Sequence, residues 1–181
     1  ILRSAKREAL LGALEIAQIG SGVLEITGTG GSGKSAFLKA AADAQTEHAP
    51  TLILAPDRVP GGGWSALQHQ LGLSVNAERF LTDLASDGGA IIYIDGLDRF
   101  LSEAERKTVS DIILAVAKTP SITLVFTARL GWREAHPFSE SVMRALEAHE
   151  TFTIESLDDD EAAGLSQAVP ALAAILAPDH P

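Results

Sequence analysis

Residues Gly28 to Ala36 read GTGGSGKSA, with glycines at 28, 30, 31 and 33, small hydroxyl side chains between them, and a lysine at 34 followed by a serine. The spacing Gly-x-x-x-x-Gly-Lys-Ser has a chemical use that accounts for its parts. Glycines cost conformational entropy. In return, successive backbone N–H groups can turn toward one anion with no Cβ holding it off. Lys34 then reaches the β- and γ-phosphates of a nucleoside triphosphate and the Ser35 hydroxyl ligates Mg2+. The helix that follows adds its partial positive N-terminus. The whole loop is expected to cradle a polyphosphate: Gly28, Thr29, Gly30, Gly31, Ser32, Gly33, Lys34, Ser35 and Ala36. The bland alternative, a flexible glycine linker with a chance lysine, does not explain a strand before the loop and a helix after it.

Two carboxylates lie downstream in the string IIYIDGLD, Asp95 at the end of the apolar run and Asp98 three residues later. A carboxylate at the carboxyl end of a strand sits where open α/β sheets bind ligands, so Asp95 is expected to hold Mg2+ through water. Asp98 is expected to orient or activate an attacking water; its alternative is a solvated acid paired with Arg99. A later apolar run, LVF, leads to Thr127, Ala128 and Arg129. Arg129 is placed to sense or stabilise a γ-phosphate. Arg133 is a second arginine able to do so, and Thr127 is a further polar sensor.

These residues need a scaffold that brings them to one edge. Leu10, Leu11 and Leu14 share a face of a helix that fills the segment up to Ile19. Strands are predicted at 23–27, 51–55, 90–95, 122–127 and 151–154. Helices are predicted at 34–45 and 139–148, with weaker helical stretches at 65–71 and 77–85. Ser102 and Glu105 form a capping box for a helix whose buried face carries Val109, Ile112, Ile113 and Val116. Asp158 to Glu161 form a capping turn before a last helix, which Pro170 divides. Strands alternating with helices imply parallel pairing, and the near-continuous apolar strand interiors imply a sheet covered on both faces. The expected fold class is α/β, a mostly parallel five-stranded sheet flanked by helices, with the start of a small helical appendage.

Composition sets outer bounds. The chain has 181 residues, 46% of them hydrophobic, a net charge of −10 and no cysteine. That is ample core for one domain. The acidic balance argues against a surface built for nucleic-acid phosphates. Without cysteine there is no disulfide framework or thiolate metal site, and a reducing cytoplasm is compatible with this. No run of 18 apolar residues marks a membrane span. The five histidines, His48, His69, His136, His149 and His180, lack metal-ligand spacing and read as surface residues. Trp64 and Trp132 read as core or loop anchors rather than base stackers.

The quoted segments resemble a known group. A further βα unit containing TLILA lies between the phosphate-loop strand and the Asp95 strand, which suggests the P-loop NTPase arrangement of the additional-strand type. YIDGLDRF looks like a Walker B segment with a second acid three places after the first, and FTAR looks like a sensor segment ending in Arg129. Together they resemble the AAA+ and STAND ATPases, the latter including NACHT and NB-ARC members. AVPAL at 168–172 is similar to a helical-domain motif whose proline lies against adenine, matched by Pro170, with Ala168 where the family carries glycine. Arg99 stands where many members carry another acid.

The resemblance implies ATP and Mg2+ as cofactors, ATP/ADP exchange with slow hydrolysis, and homo-oligomerisation on activation in immune, regulatory or anti-phage signalling. It also implies a P-loop domain at 1–156 and the start of a helical subdomain at 157–181. The chain begins at Ile1 rather than Met, and is expected to be a piece of a larger multidomain protein. A small-molecule or nucleotide kinase is the alternative, with Arg129, Arg133 and the loop RVPGGGW as its pocket. A GTPase would carry Asn-Lys-x-Asp after a late strand, which this sequence lacks.

Overall fold

Five apolar runs, too short for helices and bounded by turn residues, form the strands β1 (Val23–Gly28), β2 (Thr51–Leu54), β3 (Ala90–Ile94), β4 (Ile122–Arg129) and β5 (Glu150–Ile154). The computed structural model describes residues 3–19, 22–135, 138–147 and 150–168. All strand pairings are parallel, in the order β2-β3-β4-β1-β5. The strand inserted between the phosphate-loop strand and the Asp95 strand is therefore β4. The TLILA strand, β2, goes to the far edge.

Helices α1 (Ser4–Ile19) and α2 (Lys34–Gln45) cover one face; α3 (Trp64–Gln70), α4 (Ala77–Leu84), α5 (Glu103–Val116), α6 (Trp132–Ala135) and α7 (Glu140–Ala145) cover the other. The last helix, α8 (Asp159–Ala168), follows β5. Alternation along the strands divides the core. On β3, Ile91 and Tyr93 pack toward Leu10, Leu14 and Phe37, while Ile92 and Ile94 pack toward Val109, Ile112 and Ile113. Tyr93 is fully buried, and its hydroxyl has no hydrogen-bond partner among the described residues.

The capping box of α5 forms as expected: Glu105 N donates to Ser102 Oγ at 3.1 Å, and Ser102 N donates to Glu105 Oε2 at 3.2 Å. The capping turn of α8 forms too, with Glu161 N donating to Asp158 Oδ1 at 2.7 Å. The helix expected at 139–148 is shorter, running Glu140–Ala145, and a separate short α6 precedes it. Trp64 and Trp132 are both buried in the larger core cluster. No described helix is long and apolar enough to cross a membrane.

Candidate functional site

The loop from Gly28 to Gly33 joins the carboxyl end of β1 to the start of α2. Gly28 must be glycine because a Cβ there would lie 2.2 Å from the carbonyl oxygen of Ile154 on neighbouring β5. Gly33, at φ 92°, is the N-cap of α2 and provides no side chain to cap it. The opening N–H groups of the helix are thus left to a ligand, and left-handed backbone favours glycine at that position. An added Cβ at Gly30, Gly31 or Gly33 would meet no protein atom within 4 Å. That open side faces a cavity of about 600 Å³, lined also by Lys34, Ser35, Asp98, Thr127 and Arg129.

Lys34 folds back along the loop, its Nζ donating to the carbonyls of Gly28 at 3.0 Å and Thr29 at 2.6 Å. Burial, opposed by the nearby Asp98 and Asp95 and aided by Arg129, holds its pKa below the usual lysine value. An ammonium held less firmly protonated, and bound only to neutral carbonyls, is well placed to exchange those carbonyls for phosphate oxygens.

Four residues form a hydrogen-bonded chain at the floor of the cavity. Ser35 Oγ donates to Asp95 Oδ1 at 2.8 Å, and Thr127 Oγ1 donates to the same oxygen at 2.9 Å. Gly96 N in turn donates to Thr127 Oγ1 at 2.6 Å. The buried Thr127 hydroxyl thus spends its proton on Asp95 and accepts a backbone N–H, so it fixes the carboxylate at the cavity floor. The residues fit Mg2+: neighbouring ligands around the ion lie roughly 2.9 Å apart for bonds of about 2.1 Å, close to the Ser35–Asp95 oxygen separation. No cluster of three or more His, Asp or Glu exists among the described residues, so the hydroxyl–carboxylate pair is the metal-ligating chemistry at hand. His48 and His69 are exposed; the other three histidines lie outside the described residues.

Asp98 is buried, not solvated, and its partner is not Arg99. Arg129 Nε approaches Asp98 Oδ2 at 3.3 Å, while Arg99 Nη1 lies 4.0 Å from Asp95 Oδ2. The short 3₁₀ turn Leu97–Arg99, entered through Gly96, tucks the Asp98 side chain under the cavity. Arg133 is turned away. Its Nη1 donates to Glu25 Oε2 at 2.9 Å, and Trp132 Nε1 donates to Glu25 Oε1 at 2.7 Å. Glu25 is a buried carboxylate in the middle of β1. A charged residue inside an otherwise apolar strand was the sequence signal for this anchor.

The loop at Pro60–Trp64 does not line the cavity. It lies along α5, where Gly62 N donates to Ala104 O at 3.0 Å, Gly63 N donates to Thr108 Oγ1 at 2.9 Å and Trp64 N donates to Asp111 Oδ2 at 2.8 Å. Pro170 lies outside the described residues. Among the site residues expected from the sequence, the loop residues Gly30, Gly31, Gly33, Lys34, Ser35 and Ala36 border one cavity with Asp98 and Arg129, and Asp95 is hydrogen-bonded to Ser35 at its floor.

No family model matches the sequence, and no curated protein matches it. Solved structures do. A DNA replication initiation factor aligns at TM-score 0.65 and 15% identity, covering 96% of this chain and 53% of its own. The Aeropyrum pernix ORC1 protein, solved in complex with DNA, aligns at TM-score 0.60 and 20% identity, covering 98% and 55%. DnaA from Aquifex aeolicus, solved bound to AMPPCP, aligns at TM-score 0.61 and 14% identity, covering 93% and 53%. The chain spans about half the length of each. Sheet order, phosphate loop and these likenesses converge: the chain has the AAA+ P-loop NTPase fold.

Proposed function

We propose that the chain is an ATP-binding, slowly hydrolysing switch module of STAND type, working in a signalling or defence protein. The observation that carries this reading is the gathering of Lys34, Asp98 and Arg129 around one cavity, with Ser35 and Asp95 in direct hydrogen bond at its floor.

Lys34 leaves the Gly28 and Thr29 carbonyls for the β- and γ-phosphates. Ser35 and Asp95 would hold Mg2+, which when bound would offset charge on the phosphate oxygens. Asp98 orients the attacking water, and its pairing with Arg129 makes that role conditional. A γ-phosphate competes for the guanidinium, and Arg129 must loosen from Asp98 before the carboxylate can accept a proton. Arg129 thereby makes a contact that ATP offers and ADP does not, which a nucleotide-dependent population shift requires. Slow turnover follows from the same pairing. Further domains of a longer chain, and a second copy bound through this domain, are what the module would rearrange.

A kinase has less support. Its pocket was to draw on Arg129, Arg133 and the RVPGGGW loop; Arg129 borders the cavity, but Arg133 is bound by Glu25, and the backbone N–H groups of Gly63 and Trp64 in the loop are bound by side chains of α5. The test is to denature the purified protein and identify the released nucleotide by chromatography. Stoichiometric ATP or ADP is expected. GDP, or failure to bind added ATP with Mg2+, overturns the reading.

A further inference from the structure

A buried arginine 31 residues upstream of Lys34 in the sequence reaches the phosphate loop from behind. The Arg3 side chain is 4% exposed, although the residue precedes the first turn of α1. It adopts φ 60°, a conformation that non-glycine residues rarely take and that its partners must hold. Its guanidinium spans three segments. Nη1 donates to the carbonyls of Ser32 at 3.3 Å and Glu155 at 3.1 Å. Nη2 donates to the Ser156 carbonyl at 2.9 Å and to Glu161 Oε2 at 2.6 Å, and Nε donates to Glu161 Oε1 at 2.9 Å.

Glu161 is not an idle partner. The same carboxylate accepts from Asp158 N at 3.2 Å and so helps to cap α8. The hydrogen bonds from Arg3 hold it below the usual carboxylate range. Two further contacts join the loop to this junction. Thr29 Oγ1 lies 2.9 Å from Ser156 Oγ, and Gly28 packs directly on the Ile154 carbonyl. Thr29 is therefore held at both ends: Lys34 binds its carbonyl on the cavity side, and Ser156 binds its hydroxyl on the outer side.

We infer that Arg3 is a positioning residue for the phosphate loop and that, with the Thr29–Ser156 contact, it transmits occupancy of the loop to the start of α8. The inference rests on the proposed nucleotide site. Phosphate oxygens that draw Lys34 away release the Gly28 and Thr29 carbonyls. The backbone of the loop then readjusts against an outer rim pinned at Ser32 and Thr29. Because Arg3 binds both that rim and the capping carboxylate of α8, a shift in one alters the geometry of the other. The path runs along hydrogen bonds of the main chain and one guanidinium, and needs no contact between α8 and the base of the nucleotide.

The experiment compares the full chain with Arg3→Met, Arg3→Lys and Glu161→Gln, by calorimetric titration with ADP and with ATP–Mg2+ and by amide hydrogen exchange across residues 155–168. Wild type is expected to bind nucleotide and to change its exchange at the start of α8 on binding. Arg3→Met should weaken binding about tenfold, the scale of losing charge-assisted hydrogen bonds, and should abolish the exchange response. Arg3→Lys keeps the charge but not the fork, and should not restore the response. Should Arg3→Met fail to fold, Glu161→Gln and Ser156→Ala carry the same comparison from less buried positions. Nucleotide binding with an unchanged α8, or an intact response in the variants, overturns the inference while leaving the site reading in place. Failure of wild type to bind nucleotide overturns both.

Discussion

Arg129 Nε stands 3.3 Å from Asp98 Oδ2, an exposed guanidinium over a carboxylate only 6% exposed. Arg129 ends β4 and Asp98 lies in the 3₁₀ turn that follows neighbouring β3, and both border the cavity, so each sets the availability of the other.

Asp98→Asn should bind ATP as wild type does and slow hydrolysis by roughly 10²–10⁴, the usual worth of a positioned general base. Single-turnover hydrolysis beside a binding titration checks this; unchanged turnover moves the water-orienting role elsewhere. Arg129→Gln should lose the preference for ATP over ADP, at a stability cost of about 1 kcal/mol or less because the arginine is solvated. Arg133→Met, altering an arginine bound to Glu25 outside the cavity, should leave nucleotide affinity unchanged.

Thr127→Val removes a donor to Asp95 and leaves the Gly96 N–H without its acceptor. The Mg2+ concentration for half-maximal nucleotide binding should rise about tenfold, as for other residues that orient metal ligands, and stability should fall by about 1–3 kcal/mol. Thr127→Ser should restore both. Equal Mg2+ dependence in valine and wild-type proteins would rule out this role.

Glu25→Gln should lower the melting temperature, because Arg133 and Trp132 lose the carboxylate that fastens α6 to β1. With Arg133 partly exposed, a loss of about 2 kcal/mol is expected, less than for a fully buried pair. Thermal denaturation reads it directly.

Tyr93→Phe should stabilise the protein by about 1 kcal/mol, raising the melting temperature by roughly 2–4 °C. The buried Tyr93 hydroxyl lacks a partner among the described residues, and removing it relieves an unmet desolvation cost. A destabilised variant would mean that the hydroxyl is hydrogen-bonded after all.

Polyphosphate binding should weaken with rising pH earlier than an ordinary lysine would allow. The Lys34 pKa is lowered in this structure, burial being the first cause, and phosphate oxygens would raise it. Affinity is then complete below the lowered pKa and declines as pH rises through it, with proton uptake on binding in that window. Titrations in buffers of different ionisation enthalpy measure the uptake. No uptake at any alkaline pH would remove Lys34 from the phosphates.

The phosphate loop was legible because each of its demands is local: glycine where backbone approaches backbone, a cation, and a hydroxyl at fixed spacing. Strands were legible for a similar reason, as apolar runs between turns. What the sequence left open depends on pairs far apart. Nothing near Arg133 announces that Glu25, buried 108 positions away, will claim it. The spacing of Thr127 could not tell a sensor from a brace, since that rests on which side of β4 meets Asp95. Arg3 has no sequence signal at all, because its partners lie across the fold at Ser32 and Glu161. The glycines at 61–63 show the reverse. Only the kinase alternative gave their loop a pocket to line, and they serve close approach to α5 instead.

The strand order has a mechanical outcome. β4 and β1 are each laddered on both sides, so the residues proposed to meet the phosphates ride on the stiffest part of the sheet. β5 is laddered to β1 alone, and α8 hangs from it. Opening free energies within a domain are lowest where pairing is one-sided. The molecule therefore resembles an anvil with a hinged flap: a nucleotide bound as proposed would press on the stiff middle of the sheet, and any displacement would leave through the margin at β5.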